Sequence, residues 1–276
     1  MRGYNTHGVD IFDEDWDNLI ILDACRFDMF EELNTIDGDL MSVSSRGAST
    51  PEFLFANFHN RELLDTVYIT ANPKLHENRS RINTELHFVE NVWETEWNDE
   101  EETVLPEAMT EAGIRASDRF DDKRLIIHYL QPHYPFLGDG PDLFDKEQAF
   151  RRPDEPGSWF QVMSGQLDVS AEDVWKQYKQ TLSIALPHVE RLVDSLHGKT
   201  VVTADHGNMV GERSSPIPIK EWGHPHGIYT PELVNVPWLV NETDDRRSIS
   251  ESPPITQESD VNQDVVQKRL ESLGYK

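Results

Sequence analysis

The sequence predicts an α/β fold, a doubly wound and mostly parallel sheet with helices on both faces. Two observations carry that expectation. Short, continuous apolar runs alternate with segments of helical period. Of three such runs, Asn18-Leu19-Ile20-Ile21-Leu22-Asp23 has the continuous apolar form of a central parallel strand covered on both faces, Thr200-Val201-Val202-Thr203-Ala204-Asp205-His206-Gly207 reads as a buried strand, and Lys123 to Leu130 as a further strand. Each leads at once into Asp or His, with His133 following Leu130 in Gln131-Pro132-His133-Tyr134-Pro135. In an open α/β sheet ligands bind outside the carboxyl ends of the strands, so these side chains are the first candidates for chemistry.

In chain order, the first strand precedes a short helix from Arg26 to Leu33, with Phe27, Phe30 and Leu33 at spacings of three. Ser42 to Pro51 is small and polar, and reads as a loop feeding a helix with Pro51 in its first turn. Thr66 to Thr70 is a strand, and residues 72 to 100 read as an insertion or irregular cover. Residues 138 to 168, rich in Pro, Gly and charge, read as a long loop or lid. Ser170 to Asp173 then resembles a capping box, and Tyr178, Leu182, Ala185, Val189, Leu192 and Leu196 mark the longest helix, which Pro187 should kink or divide. After the strand at Thr200 come a loop from Asn208 to Tyr229 and a last strand, Val236 to Val240, which Pro237 makes an edge strand or a strand start. Residues 241 to 262 read as mobile, and Val265, Val266, Leu270 and Leu273 suit a closing helix. The expectation is one domain over residues 1 to 276.

Composition narrows the function. The 276 residues, 37% hydrophobic, support a real core, and 51 acidic against 25 basic residues give a formal charge of -26. That charge argues against binding nucleic acid or an anionic membrane surface, and its spread over the chain suits a halophilic protein kept soluble in concentrated salt. The absence of an 18-residue apolar run and of a signal-like amino terminus predicts a cytoplasmic protein without a membrane span. The single cysteine, Cys25, excludes a disulfide framework and a multi-cysteine zinc site, and reads as a packed thiol. Any metal must therefore use Asp, Glu, His and hydroxyls.

If Asp23, His133, Asp205 and His206 leave one sheet edge, two carboxylates and an imidazole can hold one divalent cation. A hydroxyl from Ser49-Thr50-Pro51 completes the shell and becomes a nucleophile. The mixed oxygen and nitrogen donors suit Mn or Zn better than Ca. His224 and His226, in His224-Pro225-His226-Gly227, offer further imidazoles to a transferring group or a second metal. His128, inside its strand, reads as a core or pocket-wall histidine.

The set made by Asp23, Ser49-Thr50-Pro51, Pro132-His133-Tyr134-Pro135, Thr203-Ala204-Asp205-His206-Gly207 and His226-Gly227-Ile228-Tyr229, taken in this order, resembles the alkaline phosphatase superfamily in its sulfatase-like branch. The resemblance runs from about residue 18 to 240. It implies an alkaline phosphatase-like fold, Asp23, Asp205 and His206 as metal ligands, Ser49 as nucleophile and ligand with Thr50 as the fallback, and His133 and His226 on the substrate's charged oxygens. The sulfatase pattern has Arg where this chain has Phe53, which makes conversion of the nucleophile to formylglycine an unexpected step; Arg26 and Arg46 are the candidates to replace that Arg. One metal is expected rather than two, because the segment from His128 to His133 lacks the extra Asp of the two-zinc phosphatases. The resulting expectation is a metal-dependent hydrolase or transferase of phosphate or sulfate esters, phosphoesters favoured, acting on a small anionic ester that is lipid- or glycan-linked. The alternative is an anion-binding protein on the same fold without turnover.

Overall fold

The computed structural model describes residues 3–140, 158–215, 217–243, 245–255 and 263–274. Along the chain run β1 (Asn18–Leu22), α1 (Phe27–Leu33), β2 (Asp39–Ser44), α2 (Thr50–Phe58), β3 (Glu62–Thr70), the short α3 (Lys74–Glu77) and α4 (Arg79–Ile82), and β4 (Glu85–Asn91). Then come α5 (Val92–Thr95), the two-residue β5 (Trp97–Asn98) and β6 (Thr103–Val104), α6 (Pro106–Arg119), β7 (Arg124–Tyr129) and α7 (Ser158–Met163). The rest is α8 (Ala171–Ser195), β8 (Thr200–Thr203), the hairpin β9 (Met209–Arg213) and β10 (Lys220–Gly223), α9 (Pro231–Val234), β11 (Asn235–Asn241) and α10 (Gln263–Ser272).

The main sheet has the order β2-β11-β8-β1-β7-β3-β4. From β8 to β4 every pairing is parallel, and β11 runs antiparallel to both its neighbours. The doubly wound, mostly parallel expectation therefore holds. Alternation along β1 feeds both faces: Ile20 and Leu22 pack in one core with Met29, Phe30, Met109, Tyr178, Leu182 and Leu270, and Leu19 and Ile21 in the other with Trp16, Phe53, Leu54 and Phe58. Each of these fully buried side chains contributes about 1.5–3 kcal/mol of transfer free energy, so the central strands hold the ends from which the site hangs.

Several expectations are corrected. Residues 72–100 are no mere cover, because β4 lies there as an edge strand of the sheet, paired with β3. The serine-rich Ser42 to Ser44 belongs to β2, an edge strand whose residues are exposed or half-buried, so it carries no apolar signal. Of the two readings of Pro237, the edge is wrong, since β11 is paired on both sides, and the strand start is nearer: Pro237 is the third residue of β11 and the ladder to β8 begins only at Trp238. Pro187 does not divide α8, which runs from Ala171 to Ser195 as one helix. In the predicted loop at 138–168, Ser158–Met163 is helical, and the rest of that lid reading, residues 141–157, lies outside the described residues. Much of the segment read as mobile is a pinned strap. Arg246 bonds Asp15 and Asp17, Arg247 reaches Phe120 O at 2.9 Å, and the Ser250, Ser252 and Ile255 amides donate to Asp122, Leu64 and His87 carbonyls. Residues 256–262 of that segment are outside the described residues. Among the described residues no helix is long and apolar enough to cross a membrane.

Candidate metal centre and active site

The carboxyl ends of four adjacent strands, β8, β1, β7 and β3, deliver the polar side chains predicted to meet there, plus one that was not predicted. Asp23 follows β1, where Ala24 turns the chain with φ 59°, and its backbone is tied to the end of β7 by Asp23 N to Tyr129 O and by His133 N to Asp23 O. Asp205 and His206 follow β8. Asn72, which the sequence reading left in irregular cover, follows β3 and donates from Nδ2 to Asp23 Oδ2 at 2.7 Å.

Each carboxylate is held by one oxygen and left bare at the other. Asp205 Oδ1 accepts from the Ala24 and His206 amides at 3.0 and 2.9 Å, while Asp205 Oδ2 and Asp23 Oδ1 are buried with no hydrogen-bond partner. His206 donates from Nδ1 to Gly207 O at 2.7 Å, which leaves the Nε2 lone pair to face the carboxylates. His206 Nε2 lies 3.5 Å from Asp23 Oδ1 and 3.4 Å from Asp205 Oδ2.

Thr50 adds a fourth group, its Oγ1 at 3.2 Å from His206 Nε2 and hydrogen-bonded to Asp23. Tetrahedral bonds of about 2.0–2.1 Å put neighbouring ligand atoms about 3.3 Å apart, so these residues fit one divalent cation. Orphaned, fully buried carboxylate oxygens are otherwise expensive. Without a cation the arrangement is strained electrostatically: burial and the Asp205 charge hold Asp23 well above the ordinary carboxylate range.

The hydroxyl that meets this cluster is Thr50, not Ser49. Thr50 is the first residue of α2, and Ser49 the extended residue before it, so the two side chains diverge. Ser49 Oγ lies 2.9 Å from His226 Nδ1 instead. The close turn ahead of the helix requires Gly47, where a Cβ would stand 2.4 Å from Phe53 N. Glu52, also unforeseen, clamps the His226 loop to α2: its Oε1 accepts from Gly227 N at 2.7 Å and lies 3.5 Å from His226 Nδ1, while Oε2 accepts from Ala48 N. His226 is 67% exposed, with its ring edge open to a ligand.

His133 and His224 come together, their Nε2 atoms 3.0 Å apart, and the His224 ring lies 4.7 Å from that of His206. His133 donates from Nδ1 to Tyr134 O, and burial lowers its pKa to about 4, so it is a neutral base with Nε2 toward the site. Lys74, 6% exposed, is an unforeseen cation near Asp23 and His133, its Nζ 2.9 Å from Glu77.

Neither arginine is placed as expected. Arg26 is committed to Asp28 and to Glu212 at 2.5 Å, with Trp175 beneath its guanidinium, and Arg46 turns to Asp10 at 2.6 Å and to Ala56 O. In so acidic a chain both are neutralised by acids that folding brings near. Glu212 therefore serves the hairpin, where it also accepts from Val210 N.

No family model matches the chain, and no curated protein is similar to it in sequence. Solved structures do match in fold. The integral membrane protein lipooligosaccharide phosphoethanolamine transferase A of Neisseria meningitidis superposes with a TM-score of 0.54 at 12% identity, covering 82% of this chain and 47% of its own length. Its soluble domain gives 0.50 at 12% identity, covering 81% and 75%. The chain thus spans about half the length of the membrane protein. A 2-O glycosaminoglycan sulfatase gives 0.45 at 12% identity, covering 86% and 65%. The first two superpositions show that this chain shares the fold of these phosphoethanolamine transferase structures.

Proposed function

We propose that the protein is a metal-dependent hydrolase or transferase of phosphoesters, with Thr50 as its nucleophile and Asp23, Asp205, His206 and Thr50 holding one Zn or Mn ion. The observation that carries this reading is the convergence of Thr50 Oγ1, His206 Nε2 and two unpartnered carboxylate oxygens at the first turn of α2. A bound divalent cation would lower the hydroxyl pKa and offset charge on the ester.

The chain's own groups supply the rest. Thr50 Oγ gives up its proton to solvent and bonds to phosphorus while the bond to the leaving oxygen breaks. His133, an acceptor at Nε2, takes the Nε2–H of His224, which fixes the pair beside the ester. His226, its Nδ1 held by Ser49 and Glu52, gives a proton from Nε2 to the leaving oxygen and then takes one from the water or alcohol that releases Thr50. Phosphoesters are favoured over sulfate esters because Phe53, buried in the core, stands where the sulfatase pattern has Arg. The similar membrane protein is named as a phosphoethanolamine transferase acting on lipooligosaccharide, which supports a lipid- or glycan-linked acceptor here.

Turnover of aryl phosphate, phosphodiester and sulfate esters with Zn, Mn, Mg and Ca tests the reading. Metal-dependent phosphoester cleavage supports it. Anion binding without turnover under any metal overturns it in favour of the non-catalytic alternative.

A further inference from the structure

His128 is a strand residue that looks into the metal cluster from behind. It sits at position five of β7, fully buried, between the strand ends that carry Asp23 and Asn72, in register with Ile21 of β1 and Thr70 of β3. Its Nδ1 lies 2.6 Å from Tyr68 Oη, with the two rings edge to face. Its Nε2 is buried without a hydrogen-bond partner and points toward Asp205 Oδ2 at 3.8 Å, the same oxygen that faces His206. A core histidine normally satisfies both nitrogens, so an orphaned nitrogen aimed at a metal-binding carboxylate is a specific arrangement.

The tautomer follows from the two neighbours. A bare Nε2 would set its lone pair against a carboxylate oxygen, which is repulsive. With the proton on Nε2 the contact is attractive, and Nδ1 then becomes an acceptor that the Tyr68 hydroxyl can fill. Tyr68 is itself buried, and burial pushes its phenol well above the ordinary range, so the hydroxyl keeps its proton to donate.

We propose that Tyr68 and His128 form a relay that positions Asp205, Tyr68 Oη donating to His128 Nδ1 and His128 Nε2–H directed at Asp205 Oδ2. This rests on the metal reading of the cluster. His128 touches neither substrate nor metal; it orients the ligand and disperses its charge, as carboxylate partners of ligating groups do elsewhere. The arrangement explains why a polar residue interrupts Leu125-Ile126-Ile127 in a central strand, where an apolar side chain would pack as well.

The test is metal affinity, by competition of Zn and Co(II) against a chromogenic chelator, in wild type, His128→Phe, His128→Gln and Tyr68→Phe, with thermal unfolding of the metal-free forms as the fold control. Loss of an outer partner typically weakens metal binding about 10–100-fold. His128→Phe should show that loss. His128→Gln, whose amide N–H reaches the place of Nε2–H, should recover affinity to within about threefold. Tyr68→Phe keeps the packing and removes only the hydroxyl; it should weaken binding by a smaller factor and shift the Co(II) absorption bands, and it carries the test if His128→Phe does not fold. Wild-type affinity in a folded His128→Phe or in Tyr68→Phe overturns the relay, as does a His128→Gln no better than His128→Phe. Failure of the wild type to bind any metal would instead sink the metal reading on which the relay stands.

Discussion

Replacing Thr50 and Ser49 separately by Ala distinguishes two adjacent hydroxyls that differ only in where the start of α2 points them. Thr50 Oγ1 is within 3.2 Å of His206 Nε2 and bonded to Asp23, so Thr50→Ala removes the nucleophile and one group of the cation shell. Loss of a nucleophile in covalent catalysis lowers kcat by a factor on the order of 10⁴ or more. Ser49→Ala removes one hydrogen bond to His226 Nδ1, which keeps Glu52 Oε1 at 3.5 Å. One such bond is worth about 1 kcal/mol, or about fivefold in rate. The assay is single-turnover and steady-state cleavage of an aryl phosphodiester by metal-loaded protein, with mass mapping of the phosphorylated peptide. Thr50→Ser should retain activity, because the hydroxyl remains. A Ser49→Ala protein that is dead beside an active Thr50→Ala, or phosphate found on Ser49, would refute the reasoning.

Other expectations follow from the same geometry. Asp205→Ala and His206→Ala should lose bound metal and activity together with the fold intact, while His226→Ala keeps one equivalent of metal and turns over slowly; metal analysis and circular dichroism check both. Chelation should lower Tm, and free metal at a hundred times Kd should restore about 2.7 kcal/mol of stability. Arg46→Ala should change KM by less than about twofold, since its guanidinium serves Asp10 and Ala56, and a rise of tenfold or more would return it to the substrate site. The strap should be acid-sensitive: hydrogen bonds from Arg246 lower Asp15 from the usual 3.8 to about 2. A depressed carboxylate stabilises the fold above its unfolded value, and that contribution is lost as pH falls from about 3.8 through about 2. Pepsin cleavage within residues 245–255 should rise across that window, and cleavage independent of pH there would contradict it.

What could be read in the sequence and what could not divides along physical lines. β1, β7 and β8 are covered on both faces, so their sequences are dominated by apolar residues, and the groups just past them, Asp23, His133, Asp205 and His206, were legible from position alone. The same rule applied to Thr70-Ala71-Asn72 would have found Asn72. Edge strands are different: β2 and β4 pair on one side only, and β2 has no buried residue, while β4 buries just Leu86, His87 and Phe88 before turning half-exposed, so neither gives a long apolar run. The choice between Ser49 and Thr50 depends on which residue begins the helix, a boundary that Pro51 brackets but does not fix. Arg26 and Arg46 were misplaced because their partners Glu212 and Asp10 lie far along the chain and meet them only on folding. Lys74 and Glu52 escaped because nothing in α2 or α3 as sequence marks which face meets the site.

The central claim is that four groups from three chain segments share one cation. Anomalous scattering from crystals grown with zinc, recorded on both sides of the absorption edge, tests it most directly. The account predicts one strong peak about 2.0–2.2 Å from Asp23 Oδ1, Asp205 Oδ2, His206 Nε2 and Thr50 Oγ1. A peak held by other residues, or no peak at saturating zinc, would contradict it.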